Sequence, residues 1–229
     1  EQGMALRTLA WQARWTGDLD GAMSNCLSAE TFLPESEFGE ERAGIYSTLG
    51  IIHFSRSRVD LANCAVDRGF WLMRDVPDAN FGDVMTDLLL TRASIQRHSG
   101  ERARAGITLG RAREIANGEM ATCVEYCTAM WLLIDGEVDQ AHKRATDALE
   151  ASGRLGNQVI LPYLHVVLGA ANAKLGRADS AIEHFELGLK ISEADNDVRA
   201  KCFLLREYAR MDAERNIGEA ALEKLQDAA

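Results

Sequence analysis

Cysteine and histidine are the residues of this sequence with the greatest potential for metal binding or catalysis. Cys123 and Cys127 are four residues apart, which places both thiols on one face of a helix. A structural zinc site needs four ligands, and no second Cys or His pair at ligand spacing accompanies these two thiols. The pattern therefore favours packed thiols, and we predict no metal site.

The five histidines are spread over separate segments, which favours surface or interface positions over the role of a catalytic base: His53, His98, His142, His165 and His184. The sequence contains no Gly-rich phosphate loop, no GxSxG and no HExxH. Acidic pairs such as Glu40 and Glu41, and Glu101 with the nearby Arg102 and Arg104, are typical of solvated helix faces. We therefore predict no enzymatic activity and no cofactor.

Composition narrows the possible partners. The 229 residues carry 25 Lys and Arg against 35 Asp and Glu, a net charge of −10, which disfavours direct contact with nucleic acid or an anionic membrane. The odd number of cysteines and the lack of a signal peptide or a long apolar run favour a reduced, cytoplasmic protein. A start at Glu1 and an end within a helical pattern lead us to expect a piece of a longer protein.

The clearest structural signal is residues 162–193, which read as two short helices folded back on each other. Gly176 breaks the chain at the turn, and Ala181, Phe185 and Gly188 follow on one face of the second helix. The small residues allow two helices to approach closely. One hairpin cannot bury its own apolar face, so neighbours of the same kind are expected.

Such neighbours are present along the whole chain, because the turn recurs about every 40 residues. The turn residues are Gly17, Ser57, Gly100, Gly136, Gly176 and Asn216. Only Ala or Gly occupies three positions relative to each turn: Ala10, Gly50, Ala93, Ala129, Gly169 and Ala209 before it; Ala22, Ala62, Ala105, Ala141, Ala181 and Ala221 shortly after it; and Ala29, Gly69, Ala112, Ala148, Gly188 and Ala228 further on. These positions predict one all-α repeat domain over residues 1–229, with hairpins at about 3–34, 43–75, 84–117, 121–152, 160–194 and 199–229.

The pattern resembles the tetratricopeptide repeat (TPR). Its best copy is Leu168-Gly169, Gly176, Ala181, Phe185 and Gly188, and Pro34 falls where that family places its closing proline. The period here is longer than the family's usual length of about 34 residues. It is similar to the repeats of bacterial multidomain regulators, namely LuxR-type activators and proteins with a GGDEF cyclase domain. The resemblance implies a right-handed α-α superhelix of about six hairpins whose first helices line a concave face.

Transferring the family's groove positions to this sequence gives a set of expected contact residues rich in Arg and aromatic side chains, which are favoured at binding centres. They are Arg7, Trp11, Arg14, Trp15, Phe54, Arg97, His98, Tyr126, Met130, Tyr163, Arg206 and Arg210, with Leu133, Val166, Lys174 and Phe203 at equivalent positions. An alternative stays open at this stage: Trp11, Phe54 and Tyr126 could pack between hairpins and contact no ligand.

The resemblance implies a non-catalytic sensory or interaction module of a bacterial regulatory protein. It would bind a peptide, a protein or a small effector on the concave face and relay this to an attached output domain, such as a diguanylate cyclase or a DNA-binding domain. The family's best-known clamp for a peptide C-terminal carboxylate is not reproduced, so that ligand is not expected. The alternative is a structural scaffold or dimerisation module, because Leu222 and Leu225 give the last hairpin an uncapped apolar stripe through which a homodimer could form.

Overall fold

The computed structural model describes residues 1–75, 82–215 and 218–227, of which the side chains of 218, 219 and 221 are not described. Its helices are α1 Gln2–Thr16, α2 Leu19–Phe32, α3 Gly39–Ser55, α4 Val59–Leu72, α5 Asp83–His98, α6 Arg102–Ile115, α7 Gly118–Ile134, α8 Val138–Leu155, α9 Leu161–Lys174, α10 Ala178–Ala194, α11 Val198–Glu214 and α12 Gly218–Asp227. The described chain is thus helical throughout, which confirms the all-α prediction. Each predicted hairpin corresponds to one helix pair.

The predicted turn residues have the backbone conformation that a tight helix–helix connection requires. Gly17, Gly100, Gly136 and Gly176 have φ values of 90°, 83°, 88° and 73°, and Ser57 has φ 58°. This left-handed region is open to glycine without cost and disfavours residues with a Cβ. Asn216, the turn residue predicted for the sixth hairpin, lies outside the described residues.

The small residues are buried because helices touch at these positions, either within a hairpin or between neighbouring hairpins. Ala10, Ala22 and Ala29 are 1%, 0% and 0% exposed. At Gly169 an added Cβ would lie 2.5 Å from the Phe185 ring, and at Gly188 it would lie 2.7 Å from the Leu204 side chain. Ala221 and Ala228, the last members of two of the small-residue positions, fall on residues whose side chains are not described.

Helix ends differ from the prediction mainly where the hairpins are linked. The second hairpin begins at Gly39 and not near residue 43, with Glu40 and Glu41 in its first turn, where carboxylates interact favourably with the helix dipole. The fourth extends over 118–155 and not 121–152, and Gly156 ends α8 in the left-handed conformation at φ 74°.

The helices divide into two compact units, residues 1–120 and 121–229, with the division in the first turn of α7. In the first unit, a polar cluster joins three helices: Arg14 of α1 donates two hydrogen bonds to Asp87 of α5, of 2.6 and 3.0 Å. Ser47 of α3 donates to the same carboxylate at 2.8 Å and lies 3.3 Å from the Thr91 hydroxyl. These bonds fix the first helices of the three hairpins in one register.

The second unit has an apolar core between the first and second helices of its hairpins. Phe185 of α10 is fully buried and packs with Val166, Leu204 and Met211, with Met130 of α7 at the edge of the same cluster. Phe185 stacks on Tyr208 with the ring centroids 5.0 Å apart. The core therefore ties α7, α9 and α11 to α10.

The structure also bears on the packing of the cysteines and on the search for a membrane-spanning helix. Cys26 and Cys123 are buried as expected, whereas Cys64 is exposed on α4. Burial raises the pKa of Cys26 to about 12, which keeps this thiol protonated and unreactive. None of the described helices is long and apolar enough to cross a membrane.

Candidate ligand-binding pocket

A pocket of about 350 Å³ opens on the second unit where α7, α9 and α11 lie side by side. These are the first helices of their hairpins, the elements on which the resemblance placed the contact residues. The pocket is lined by Met130, Leu133, Ile134, Val166, Ala170, Lys174, Arg206, Glu207 and Arg210. The structure thus brings together six of the predicted contact residues: Met130, Leu133, Val166, Lys174, Arg206 and Arg210.

The floor of the pocket is apolar and firmly supported. Val166 is 1% exposed and belongs to the core cluster around Phe185, and Met130 packs against that cluster from α7. Phe185 can reach this position because Gly169 leaves room for its ring. The floor is consequently preformed, which lowers the entropic cost of binding an apolar group on it.

The rim carries three cations and one carboxylate. Glu207 accepts a hydrogen bond from Arg206 at 3.2 Å and forms an ion pair with Arg210. The side chains of Arg206 and Arg210 are 61% and 52% exposed, whereas that of Glu207 is 11% exposed. Lys174 donates to the backbone oxygen of Leu133 at 3.3 Å. The local charge is therefore positive on a protein whose net charge is −10.

A row of aromatic rings also crosses α7, α9 and α11 in this unit. Tyr126 and Tyr163 meet edge to face at 5.7 Å, and Tyr163 meets Phe203 at 6.3 Å. The Arg206 guanidinium lies 5.2 Å from the Phe203 ring centre, close enough for a cation–π contact. The row therefore helps to hold one of the rim arginines in place.

Tyr163 is 1% exposed, so it supports this row and offers almost no surface to a ligand. Its hydroxyl donates to Asp197 at 3.3 Å, and the same carboxylate oxygen accepts the backbone N–H of Ala200 at 2.8 Å to cap α11. Burial raises the pKa values of Tyr126, Tyr163 and Asp197 above their usual values.

The other predicted contact residues lie in the first unit. Arg14 is 3% exposed because its guanidinium is paired with Asp87, and it lies 5.8 Å from the Trp11 ring and 5.6 Å from the Trp15 ring. Arg14 therefore stabilises the fold and offers little surface to a ligand. The remaining side chains of this group are half-buried apart from the exposed His98, which meets Phe54 edge to face at 5.3 Å: Arg7, Trp11, Trp15, Phe54 and Arg97.

Sequence reasoning missed Glu207 in the pocket and two side-chain contacts outside it. Glu207 lies beside Arg206 and three residues before Arg210, so the i, i+3 spacing was a usable signal for its ion pair. Asp87, 73 residues from Arg14, had no such signal. Neither had the close contact between His165 and His184, two histidines that the sequence placed on separate helices.

The pocket is chemically suited to binding an anion and not to holding a metal. Guanidinium and ammonium groups donate hydrogen bonds to carboxylates or phosphates, and Arg can do so through two parallel bonds. In the part of the chain that the structure describes, no group of three or more His, Cys, Asp or Glu residues is arranged to hold a metal ion.

Comparison with known proteins is informative at the level of structure. No family model matches the chain, and no curated protein matches it. Among solved structures, the apo form of RapI matches with a TM-score of 0.62 and 15% identity, covering 100% of this chain and 96% of RapI. This likeness supports the predicted helical-repeat solenoid and, at this identity, concerns the fold alone.

Proposed function

We propose that the protein is a non-catalytic interaction module that binds an acidic, amphipathic segment of a partner protein or peptide in the pocket of the second unit. The observation that supports this proposal is the charge imbalance on the rim, where three cations, Lys174, Arg206 and Arg210, lie with a single carboxylate, Glu207, above an apolar floor. A Glu or Asp side chain next to an aliphatic residue would complement both features. Within a bacterial regulatory protein, such binding would be relayed to an attached output domain.

The proposal is tested by measuring the binding of a fluorescent peptide of Glu and Leu residues by anisotropy, with the same peptide carrying Gln in place of Glu as the matched ligand. Replacing Arg206 and Arg210 together by Gln is expected to weaken binding of the acidic peptide by at least ~10-fold, since a hydrogen bond to a charged group contributes about 1.5–3 kcal/mol. Arg154→Gln removes one positive charge from an exposed position of α8 and serves as the control for a general effect of charge.

The variant Glu207→Gln gives a sharper test because its expected effect has the opposite sign. It frees the two guanidinium groups that Glu207 now engages, so the acidic peptide should bind more tightly while the Gln peptide is unaffected. Equal affinity of wild type and both variants for the acidic peptide would refute the pocket as the binding site. A loss of affinity in Glu207→Gln would refute the charge argument.

A second candidate function, homodimerisation through the last hairpin, is favoured by the apolar surface of α12. Leu222 and Leu225 are 62% and 48% exposed. Light scattering of the wild type and of Leu222→Lys at high concentration tests this alternative. A wild type that stays monomeric would refute it.

A further inference from the structure

Two imidazole rings of the second unit meet at the interface between α9 and α10. The Nδ1 atoms of His165 and His184 are 3.1 Å apart, and the ring centres are 5.3 Å apart. His165 is 3% exposed, and α11 contacts the same place with Leu204, which lies close to Gly188 next to the His165 Cβ. A hydrogen bond between two Nδ1 atoms requires a proton on one of them and a free lone pair on the other.

We propose that the His165–His184 contact is a pH-sensitive switch that holds α9 against α10 at neutral pH and releases this hairpin in mildly acidic solution. In the neutral pair, one proton lies in the hydrogen bond between the two Nδ1 atoms. A further proton, taken up from solvent on the accepting Nδ1, removes the acceptor, leaves an N–H on both facing atoms and gives the pair one positive charge in a buried site. The rings must then separate, and α9 and α10 with them.

The titratable groups around the pair do not cancel the destabilising effect of its protonation. From α8, His142 disfavours protonation of His184, and on α10 itself Glu183 favours it. On α11, Tyr208 stacks against Phe185 and stays neutral in this range because burial raises its pKa. Asp197, the N-cap residue of α11, accepts a hydrogen bond from the Tyr163 hydroxyl. Burial raises the pKa of Asp197, so its protonation on acidification favours the folded form and partly opposes the switch.

The direction of the pH effect follows from the same geometry. Burial lowers the pKa of His165 to about 4, and burial also lowers the pKa of His184. When α9 and α10 separate, the His165 pKa returns to about 6.5. The open form therefore binds more protons between these two values, so the hairpin is most stable above about pH 6.5 and weakens as the pH falls.

The switch is connected to the pocket through adjacent residues. Val166 follows His165 in the sequence and lines the pocket, and Phe185 follows His184 and supports Val166 from α10. Ala170 and Lys174 line the pocket on the same helix as His165. Release of α9 would therefore disturb the apolar floor and one rim cation together. This regulatory role rests on the function proposed above for the pocket.

Hydrogen–deuterium exchange on the whole chain without ligand tests the contact directly. After correction for intrinsic exchange rates, we expect the α9 and α10 amides to lose protection by roughly 20-fold between about pH 7 and about pH 5, the ratio that the two His165 pKa values give. His165→Phe should remove this loss, whereas His98→Gln, which alters an exposed histidine of the first unit, should leave it unchanged. If His165→Phe does not fold, His184→Gln keeps a hydrogen-bonding partner for His165 and should reduce the loss.

Equal protection at both pH values, or the same loss in His165→Phe as in wild type, would overturn the switch. A second measurement separates it from the proposed function: binding of the Glu/Leu peptide at both pH values by wild type and His165→Phe. We expect the wild type to bind the peptide more weakly at the lower pH, and His165→Phe to bind it equally at both pH values. If the peptide binds neither protein at pH 7, the proposed function fails and the regulatory role with it, while the exchange result still decides the contact. Equal binding by wild type at both pH values would overturn the regulatory role alone.

Discussion

The buried ion pair of the first unit gives a prediction whose size can be worked out from the structure. Asp87 is 8% exposed and accepts two hydrogen bonds from Arg14 and one from Ser47. Asp87→Asn keeps the shape of the side chain and one acceptor oxygen but removes the negative charge. Arg14, 3% exposed, then stays charged without a counter-ion.

Breaking a buried ion pair by removing one partner costs about 3–5 kcal/mol. Asn can still accept one hydrogen bond from the guanidinium, and the two tryptophan rings within 6 Å of Arg14 provide some compensation. We therefore expect the lower end of that range, a loss of about 3 kcal/mol in the free energy of unfolding. This is a large fraction of the roughly 5–15 kcal/mol that a domain typically has.

Urea unfolding followed by circular dichroism and by tryptophan fluorescence measures this loss, because Trp11 and Trp15 flank the ion pair. Asp67→Asn is the matched control. It removes the same charge from a second Arg–Asp pair, that of Arg92, but the Asp67 side chain is 67% exposed. Exposed pairs contribute between about 0 and 1 kcal/mol, so the control should unfold close to wild type.

The reasoning would be refuted if Asp87→Asn and Asp67→Asn shifted the urea midpoint by the same small amount. The double variant Arg14→Met with Asp87→Leu tests whether the unpaired charge of Arg14 causes the loss of stability. Replacing both charged partners by apolar residues removes the unpaired charge, so this variant should be considerably more stable than Asp87→Asn alone.

Two further predictions concern backbone and packing at glycine positions. Ser57→Gly should stabilise the protein by about 0.5–1 kcal/mol, because Ser57 has φ 58° and a Cβ is disfavoured there; Ser99→Gly, at φ −74°, should bring no gain in thermal unfolding. Gly169→Ala should destabilise the protein by about 1–3 kcal/mol, because the new Cβ would lie 2.5 Å from the Phe185 ring. The control Gly153→Ala, in a helix with no atom within 4 Å, should be neutral or stabilising by urea unfolding, and equal effects of the two Gly→Ala changes would contradict the packing argument.

The hairpins could be predicted from the sequence because their determinants are local. A left-handed turn residue restricts the choice to Gly, Asn or a tolerated Ser, and close helix contact restricts the flanking positions to Ala or Gly. Both restrictions act at fixed distances along the chain, so the pattern was readable at Gly136 and Ala141 without knowledge of the tertiary structure. The helix ends at the links were less predictable, since fewer residues constrain them.

The candidate site was predicted only in part because its chemistry depends on distant partners. Arg14 and Arg206 looked equivalent in the sequence, each on the first helix of a hairpin. Their difference arises from which carboxylate reaches them in the folded chain, and Asp87 is 73 residues from Arg14. Tyr163 was expected to contact a ligand, but Asp197, 34 residues further on, engages its hydroxyl at a buried position.

The pairing of the cations within each unit also explains why the proposed function is assigned to the second. In the first unit, the charge of Arg14 is matched by one buried carboxylate that is itself hydrogen-bonded by a serine, so this cation has little left to offer a ligand. In the second, Arg206 and Arg210 divide a single carboxylate between them and remain more than half exposed. A cation that is buried and matched stabilises the fold, whereas exposed cations that share one counter-ion above an apolar floor are suited to exchange it for an acidic partner.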